Sequence, residues 1–195
     1  MKIDVKKIKE LREKTSLSVM ECKKALEETG GNLEKALQIL KKKGLEMSEK
    51  KAERETREGL IGAYVHINGK VGAMVEVNCE TDFVSRNEEF KELVKNICLQ
   101  ITATNPKYLD RESVPEEEKN KIREVVKEEF KDKKEEIIER IIEGKLKDFY
   151  KENVLLDQIY IKDEDITVDD YIKSKIAKLG ENIKIKRFVR FEIGE

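Results

Sequence analysis

Apolar side chains recur at helical spacing through the first 44 positions and then, from Leu60, at every second position. A pattern with the helical period does not settle as a strand, so this switch confines the fold to segregated helices and strands. The helical stripes are Val5, Ile8 and Leu11, then Met20, Ala25 and Leu26, then Leu33, Ala36, Leu37 and Leu40. Ser18 and Glu21 stand at the spacing of a capping box, which satisfies orphan amides where the second helix begins. Gly30-Gly31 ends that helix, Asn32 caps the third, and Gly44 stops it. These signals predict a compact three-helix module over residues 1–45, near the lower size limit for an unaided core.

Residues 46–58 have almost no apolar face but are dense in helix formers, with Glu and Lys at helical spacing; they predict a charged, solvated helical linker. Charge is unevenly spread. Residues 1–57 carry 16 basic against 11 acidic groups, whereas residues 110–152 carry 12 against 15, so the amino-terminal module is the more cationic.

The period of two predicts strands. Tyr64 to Ile67 and Val71 to Val77 flank Asn68-Gly69, the strongest short hairpin signal, with positive φ expected at both central residues. The second strand runs into Asn78-Cys79-Glu80-Thr81-Asp82-Phe83-Val84, after which Phe90, Leu93, Val94, Ile97 and Ile101 mark a helix ending before Asn105-Pro106. Residues 115–152 read as highly charged helix with narrow apolar seams, interrupted at Gly144. Thr167 and Asp170 have capping-box spacing and open a helix through Tyr171, Ile172, Ile176 and Leu179 that stops at Gly180. Ile183, Ile185, Val189, Phe191 and Ile193 then alternate as a strand should. A lone hairpin is marginal, so this strand is expected to join the ribbon. The fold class is α+β: helices first, then a small antiparallel sheet of about three strands backed by helices over residues 59–195.

Composition excludes several function classes. The 41 basic and 42 acidic groups leave a formal charge of −1, which lacks the broad basic field that nucleic-acid binders use to neutralise phosphates. Charged residues make up 43% of the chain against roughly 25% in an average soluble domain. The excess lies in 32 Lys and 32 Glu, a bias reported for proteins from hot environments. No stretch approaches the ~18 apolar residues that span a bilayer, and the opening residues lack a signal-peptide core, so a cytosolic protein is expected. Cys22, Cys79 and Cys98 are odd in number and lack Cys-x-x-Cys spacing, which argues against a disulfide framework or structural zinc and for small buried hydrophobes.

An enzyme reading finds little to build on. The only histidine, His66, falls in a strand beside the hairpin turn. Gly62, Gly69 and Lys70 have the wrong spacing for a phosphate loop, and Val71 stands where Mg²⁺ needs Ser or Thr. No metal, cofactor or catalytic residue is expected. What stands out is Phe83, a large aromatic in a polar connection at a strand end. Either it folds back into its own core with Asp82 capping a helix, or it enters a partner; the pattern leaves both open.

Leu11-Arg12-Glu13-Lys14-Thr15-Ser16-Leu17-Ser18-Val19-Met20-Glu21-Cys22-Lys23-Lys24-Ala25-Leu26 closely resembles the amino-terminal motif of translation elongation factor Ts. The Glu76 to Arg86 segment, with its Thr-Asp-Phe-Val, resembles that family's second motif. The stretch Leu179-Gly180-Glu181-Asn182-Ile183 and the following Arg187-Phe188-Val189-Arg190-Phe191-Glu192 resemble its ending. Three long matches in the right order make chance agreement very improbable.

The resemblance implies a nucleotide exchange factor for the GTPase elongation factor Tu, with an amino-terminal bundle similar to a ubiquitin-associated domain. By matching position, Arg12, Val19, Met20 and Lys23 supply a first contact with the GTPase, and Thr81, Asp82, Phe83 and Val84 an intruding one. Val19 stands where many relatives have Met, and Gln100 where some carry a His implicated in partner contact. The chain lacks the duplicated core half and coiled-coil insertion of longer relatives; the short form is associated with homodimers. Two other classes are weighed beside this one. One is a ubiquitin-associated-like adaptor that binds without affecting nucleotide, the other an enzyme built on Asp82, Glu80 and His66.

Overall fold

A computed structural model describes residues 4–15 and 17–194. Three helices, α1 (Val5–Thr15), α2 (Val19–Glu28) and α3 (Leu33–Glu49), precede strands β1 (Glu58–Val65) and β2 (Val71–Cys79). A single turn of helix, α4 (Asp82–Ser85), leads into α5 (Glu88–Thr104). The charged region forms α6 (Glu116–Glu129) and α7 (Glu135–Asn153). A short ribbon, β3 (Ile159–Tyr160) with β4 (Asp163–Thr167), is followed by α8 (Val168–Leu179) and β5 (Ile183–Glu192). The strands β1, β2 and β5 hydrogen-bond in that order as an antiparallel sheet, so the α+β class and the joining third strand are as expected. No helix among the described residues is long and apolar enough to cross a membrane.

The chain divides into two compact units. The first comprises Met1–Gly62, Val75–Asn96 and Asp170–Lys186. In its core Leu11, Leu17, Cys22, Ala25, Leu26, Ala36 and Leu40 are buried together, with Met47 and Ala177 packed against them, whereas Val5 and Met20 of the expected stripes are exposed. The capping box is formed, Ser18 Oγ accepting from Glu21 N at 3.2 Å while Glu21 Oε2 accepts from Ser18 N at 3.1 Å. Gly30 and Gly31 take positive φ, and Asn32 caps α3 by accepting from Lys35 N at 3.0 Å.

Gly44 does not stop α3. The helix continues to Glu49 because Met47, two turns past Leu40, adds to the apolar cluster, and a Cβ on Gly44 would lie in ordinary contact, 3.7 Å, with Ala177 Cβ. Packing therefore overrides a local stop signal. The helix expected over 46–58 ends at Glu49; beyond it come tight turns, largely exposed yet tied down by hydrogen bonds. Lys51 Nζ donates to Gly180 O at 2.7 Å, and Asn182 Nδ2 donates to Ala52 O and Arg54 O at 3.2 and 2.8 Å.

The second unit comprises Ala63–Met74, Ile97–Asp169 and Arg187–Glu195. Its hairpin differs from the expected two-residue turn. The loop runs from residue 66 to residue 70, Gly69 N donates to His66 O and His66 N to Val71 O, both at 2.8 Å, and only Gly69 has positive φ. This is the pattern of a type I turn followed by a left-handed glycine; it places the left-handed conformation on the residue that adopts it without steric cost and spares Asn68. His66 is thus the first loop residue rather than a strand residue.

Gly144 lies inside α7 with open space around it, and the break falls between α6 and α7, where Lys133 N donates to Phe130 O at 2.8 Å. A helical glycine costs about 1 kcal/mol, less than the apolar seam with buried Ile142 provides. The ribbon β3–β4 was not legible in the periodicity, being only two and five residues long. It is held by a buried amide network. Gln100, fully buried, donates to Gln158 Oε1 (3.2 Å) and Ile159 O (3.0 Å) and accepts from Ile161 N (2.9 Å), while Thr104 Oγ1 donates to Gln158 Oε1 at 2.6 Å.

Candidate functional site

The segment that leaves β2 begins from a firm anchor, because Val75, Val77 and Cys79 are all buried in the first unit. The chain then turns at Thr81, whose extended backbone (φ −129°, ψ 155°) makes it the N-cap of α4, its Oγ1 accepting from Val84 N at 3.4 Å. Asp82 is therefore the first helical residue and not the cap. Within this one turn the side chains divide sharply: Val84 and Ser85 are buried, whereas Phe83 is 78% exposed. The alternative in which Phe83 folds into its own core is not what the fold adopts. Asp82 is exposed and pairs with Arg86 at 2.9 Å, a contact worth at most about 1 kcal/mol at such exposure.

A residue a hundred positions away holds this turn. The Glu181 carboxylate accepts from Glu80 N (3.1 Å) and Thr81 N (3.0 Å) through Oε2 and from Thr81 Oγ1 (2.6 Å) through Oε1. The exchange is reciprocal: Glu80 Oε1 accepts from Asn182 N at 2.6 Å and lies 3.5 Å from Arg54 Nη1. Beneath the turn, Cys79 Sγ donates to Thr81 O at 3.2 Å. Burial, and then the negative charge of Glu181, push the Cys79 thiol up to about 11.

The other group of expected contact residues lies on the amino-terminal helices. Val19 and Met20 occupy the first two positions of α2, directly after the capped Ser18, and both are exposed, Met20 by 72%. Arg12 of α1 and Val19 line one open cleft of ≈420 Å³, together with Ser18, Glu21, Met47 and Lys178. Lys23 is exposed one turn further along α2, 3.8 Å from Glu27. Arg12 and Val19 are thus brought together, while Met20 and Lys23 stand on α2 outside the cleft lining.

Helix α8, to which sequence reasoning gave no role, touches both groups. Its Ala177 and Lys178 line the cleft, and Glu181, just past its end, grips Thr81. Its Lys175 and Lys178 also hold Glu89 of α5, at 2.7 and 2.6 Å, and these hydrogen bonds draw the Glu89 carboxyl down to about 2. The sequence did carry signals there, the Leu179-Gly180-Glu181-Asn182-Ile183 motif and within it Gly180, a helix stop with positive φ that delivers Glu181 to the turn. Gln100, fully buried in its amide network, presents no surface to a partner.

The residues of the enzyme reading are engaged elsewhere. His66 shares a 3.2 Å contact with Tyr64 Oη, Glu80 is committed to Asn182 and Arg54, and Asp82 to Arg86. Cys22, Cys79 and Cys98 are buried and form no disulfide.

Comparison with known proteins agrees with the motifs. The family described as Elongation factor TS matches residues 4–195. Elongation factor Ts of Thermoanaerobacter sp. (strain X514) is 53% identical over 99% of this chain and 96% of its own length. That of Coprothermobacter proteolyticus is 53% identical over the full length of both, and that of Thermotoga neapolitana 51% identical over 100% of this chain and 99% of its own. Matched along its length by the family and by relatives of the same size, the chain belongs to the elongation factor Ts family of translation elongation factors.

Proposed function

We propose that this chain binds elongation factor Tu and accelerates release of GDP from it, with Phe83 as the intruding side chain. Nanomolar GDP affinity corresponds to about −12 kcal/mol, too tight for rapid spontaneous turnover. A partner that weakens GDP is itself weakened by GDP to the same degree, so the factor must make contacts that favour the nucleotide-free state. The observation that carries the reading is Phe83, 78% exposed on a turn whose backbone is tied at Glu80, Thr81 and Val84. An aromatic whose backbone is fixed in advance loses less conformational freedom on insertion. Buried as an anchor, it contributes ~2 to 4 kcal/mol, a factor of ~30 to 1,000 in the coupling.

In this reading Phe83 wedges between helices of the GTPase and disturbs its Mg²⁺ and phosphate cradle, with Asp82 fixing the approach. Arg12, Val19, Met20 and Lys23 add affinity. The factor performs no substrate chemistry of its own. The test is stopped-flow release of fluorescent GDP from elongation factor Tu: Phe83→Ala should slow the accelerated phase at least tenfold. A variant as fast as wild type overturns the wedge, and loss of acceleration with complex formation intact in the wild type would instead favour the adaptor.

The reading extends to a homodimer. Val65, Ile67, Met74, Val189, Phe191 and Ile193 of the second unit are exposed apolar side chains on or beside strands, which a second copy of the chain would cover.

A further inference from the structure

We infer that Glu181 is a positioning residue for nucleotide exchange: its carboxylate sets the pose in which Phe83 is presented. The inference rests on the reading of Phe83 given above. Helix α4 is a single turn of four residues, too short to persist on its own hydrogen bonds. Its N-cap is also long, with Thr81 Oγ1 3.4 Å from Val84 N. What orients that hydroxyl is its donation to Glu181 Oε1 at 2.6 Å, which commits the hydroxyl hydrogen and leaves a lone pair for the Val84 amide. The same carboxylate takes the backbone amides of Glu80 and Thr81, so three charge-assisted bonds from one side chain fix the two residues that precede Asp82-Phe83.

Glu181 is itself held. It follows Gly180, whose carbonyl accepts from Lys51 Nζ at 2.7 Å, and precedes Asn182, which is buried and bonded to Ala52 O, Arg54 O and Glu80. One turn back on α8, Ala177 and Lys178 line the cleft that contains Arg12 and Val19. The end of α8 therefore lies against both expected contact groups, and Glu181 is the link on the Phe83 side.

The test uses full-length Glu181→Ala and the milder Glu181→Gln, which keeps the side-chain volume but offers one acceptor oxygen. Lys51→Met serves as the control, since it removes a bond to the adjacent Gly180 without touching Thr81. Hydrogen exchange of the free protein reads the pose directly. The Thr81 and Val84 amides should exchange about tenfold faster in the Glu181 variants and be unchanged in Lys51→Met.

GDP release from elongation factor Tu, measured over a range of factor concentrations, reads the consequence. The plateau rate should fall about five- to tenfold in the Glu181 variants while the half-saturating concentration moves by less than about twofold. Introduced into Phe83→Ala, Glu181→Gln should change the plateau by less than about twofold, because it acts through a ring no longer present. Unchanged amide exchange overturns the inference, as does a Glu181 effect that multiplies onto Phe83→Ala or is reproduced by Lys51→Met. If wild-type protein fails to accelerate GDP release, the exchange reading falls while the amide measurement still decides whether Glu181 sets the turn.

Discussion

Lys175 Nζ stands 2.7 Å from Glu89 Oε2 with 13% of its side chain exposed, joining the middle of α8 to the first turn of α5. The Lys175 and Lys178 hydrogen bonds lower the Glu89 pKa from 4.5 to about 2. Folding therefore favours the ionised form, and the contribution is complete above pH 4.5 and lost as pH falls toward 2. With a third of the Glu89 side chain exposed, solvent screening reduces the gain to about 1 to 2 kcal/mol. Urea unfolding should show Glu89→Gln destabilised by that amount at neutral pH. The gap to wild type should narrow as the pH is lowered from 4.5 toward 2; a gap independent of pH would contradict the ionic origin.

Gly59 in β1 has φ +153°, and a Cβ built there would lie 2.2 Å from Val77 O and 2.8 Å from Asn78 Cα. Both obstacles are backbone of the strand that leads to Thr81 and cannot rotate away. Gly59→Ala should destabilise the protein by about 2 to 4 kcal/mol, measured as a lowered Tm. A variant with wild-type Tm would show that the strand pair has room this geometry denies.

Cys79 is buried, donates to Thr81 O, and has its thiol raised to about 11 by burial and by the charge of Glu181. The thiolate is the nucleophile, so at pH 8 labelling of Cys79 by a disulfide reagent should be at least a hundredfold slower than that of a free thiol, roughly in proportion to its thiolate fraction. Unfolding in urea should restore ordinary reactivity. Rapid labelling of this residue in the native protein would mean that the Thr81 turn opens readily.

Phe191, 69% exposed on β5, tests the covering of the strands by a second copy. Sedimentation should give a dimer for the wild type at micromolar concentration and a monomer for Phe191→Glu, since a stable interface of about 1,600 Å² does not tolerate an unpaired buried carboxylate. A wild-type monomer would remove the homodimer from the functional reading.

Much of the first unit follows from signals acting within one helical turn. The Ser18–Glu21 box, the Asn32 cap and the Gly30-Gly31 and Gly180 stops all act through backbone groups no more than five residues away, and each is present in the fold. The Thr-Asp-Phe-Val segment was recognisable, and Phe83 stood out because a large aromatic between Asp82 and Val84 lacks a local reason to be there. Its exposure was not legible, since whether a ring points inward depends on the turn that carries it.

Sequence alone thus determined the two periods, most of the elements, the helix ends set by local caps and stops and, through its motifs, the family. Only tertiary structure decided the rest. Gly44 is helical because Met47 and Ala177 pack beside it, Gly144 because the α7 seam outweighs its cost, and Gln100 is interior because the ribbon β3–β4 supplies its hydrogen-bond partners. The hold of Glu181 on Thr81 belongs to the same class. Local propensities span a few residues, whereas a carboxylate and the amides it accepts from, a hundred positions apart, meet only when strand, helix and turn have already assembled around a common core.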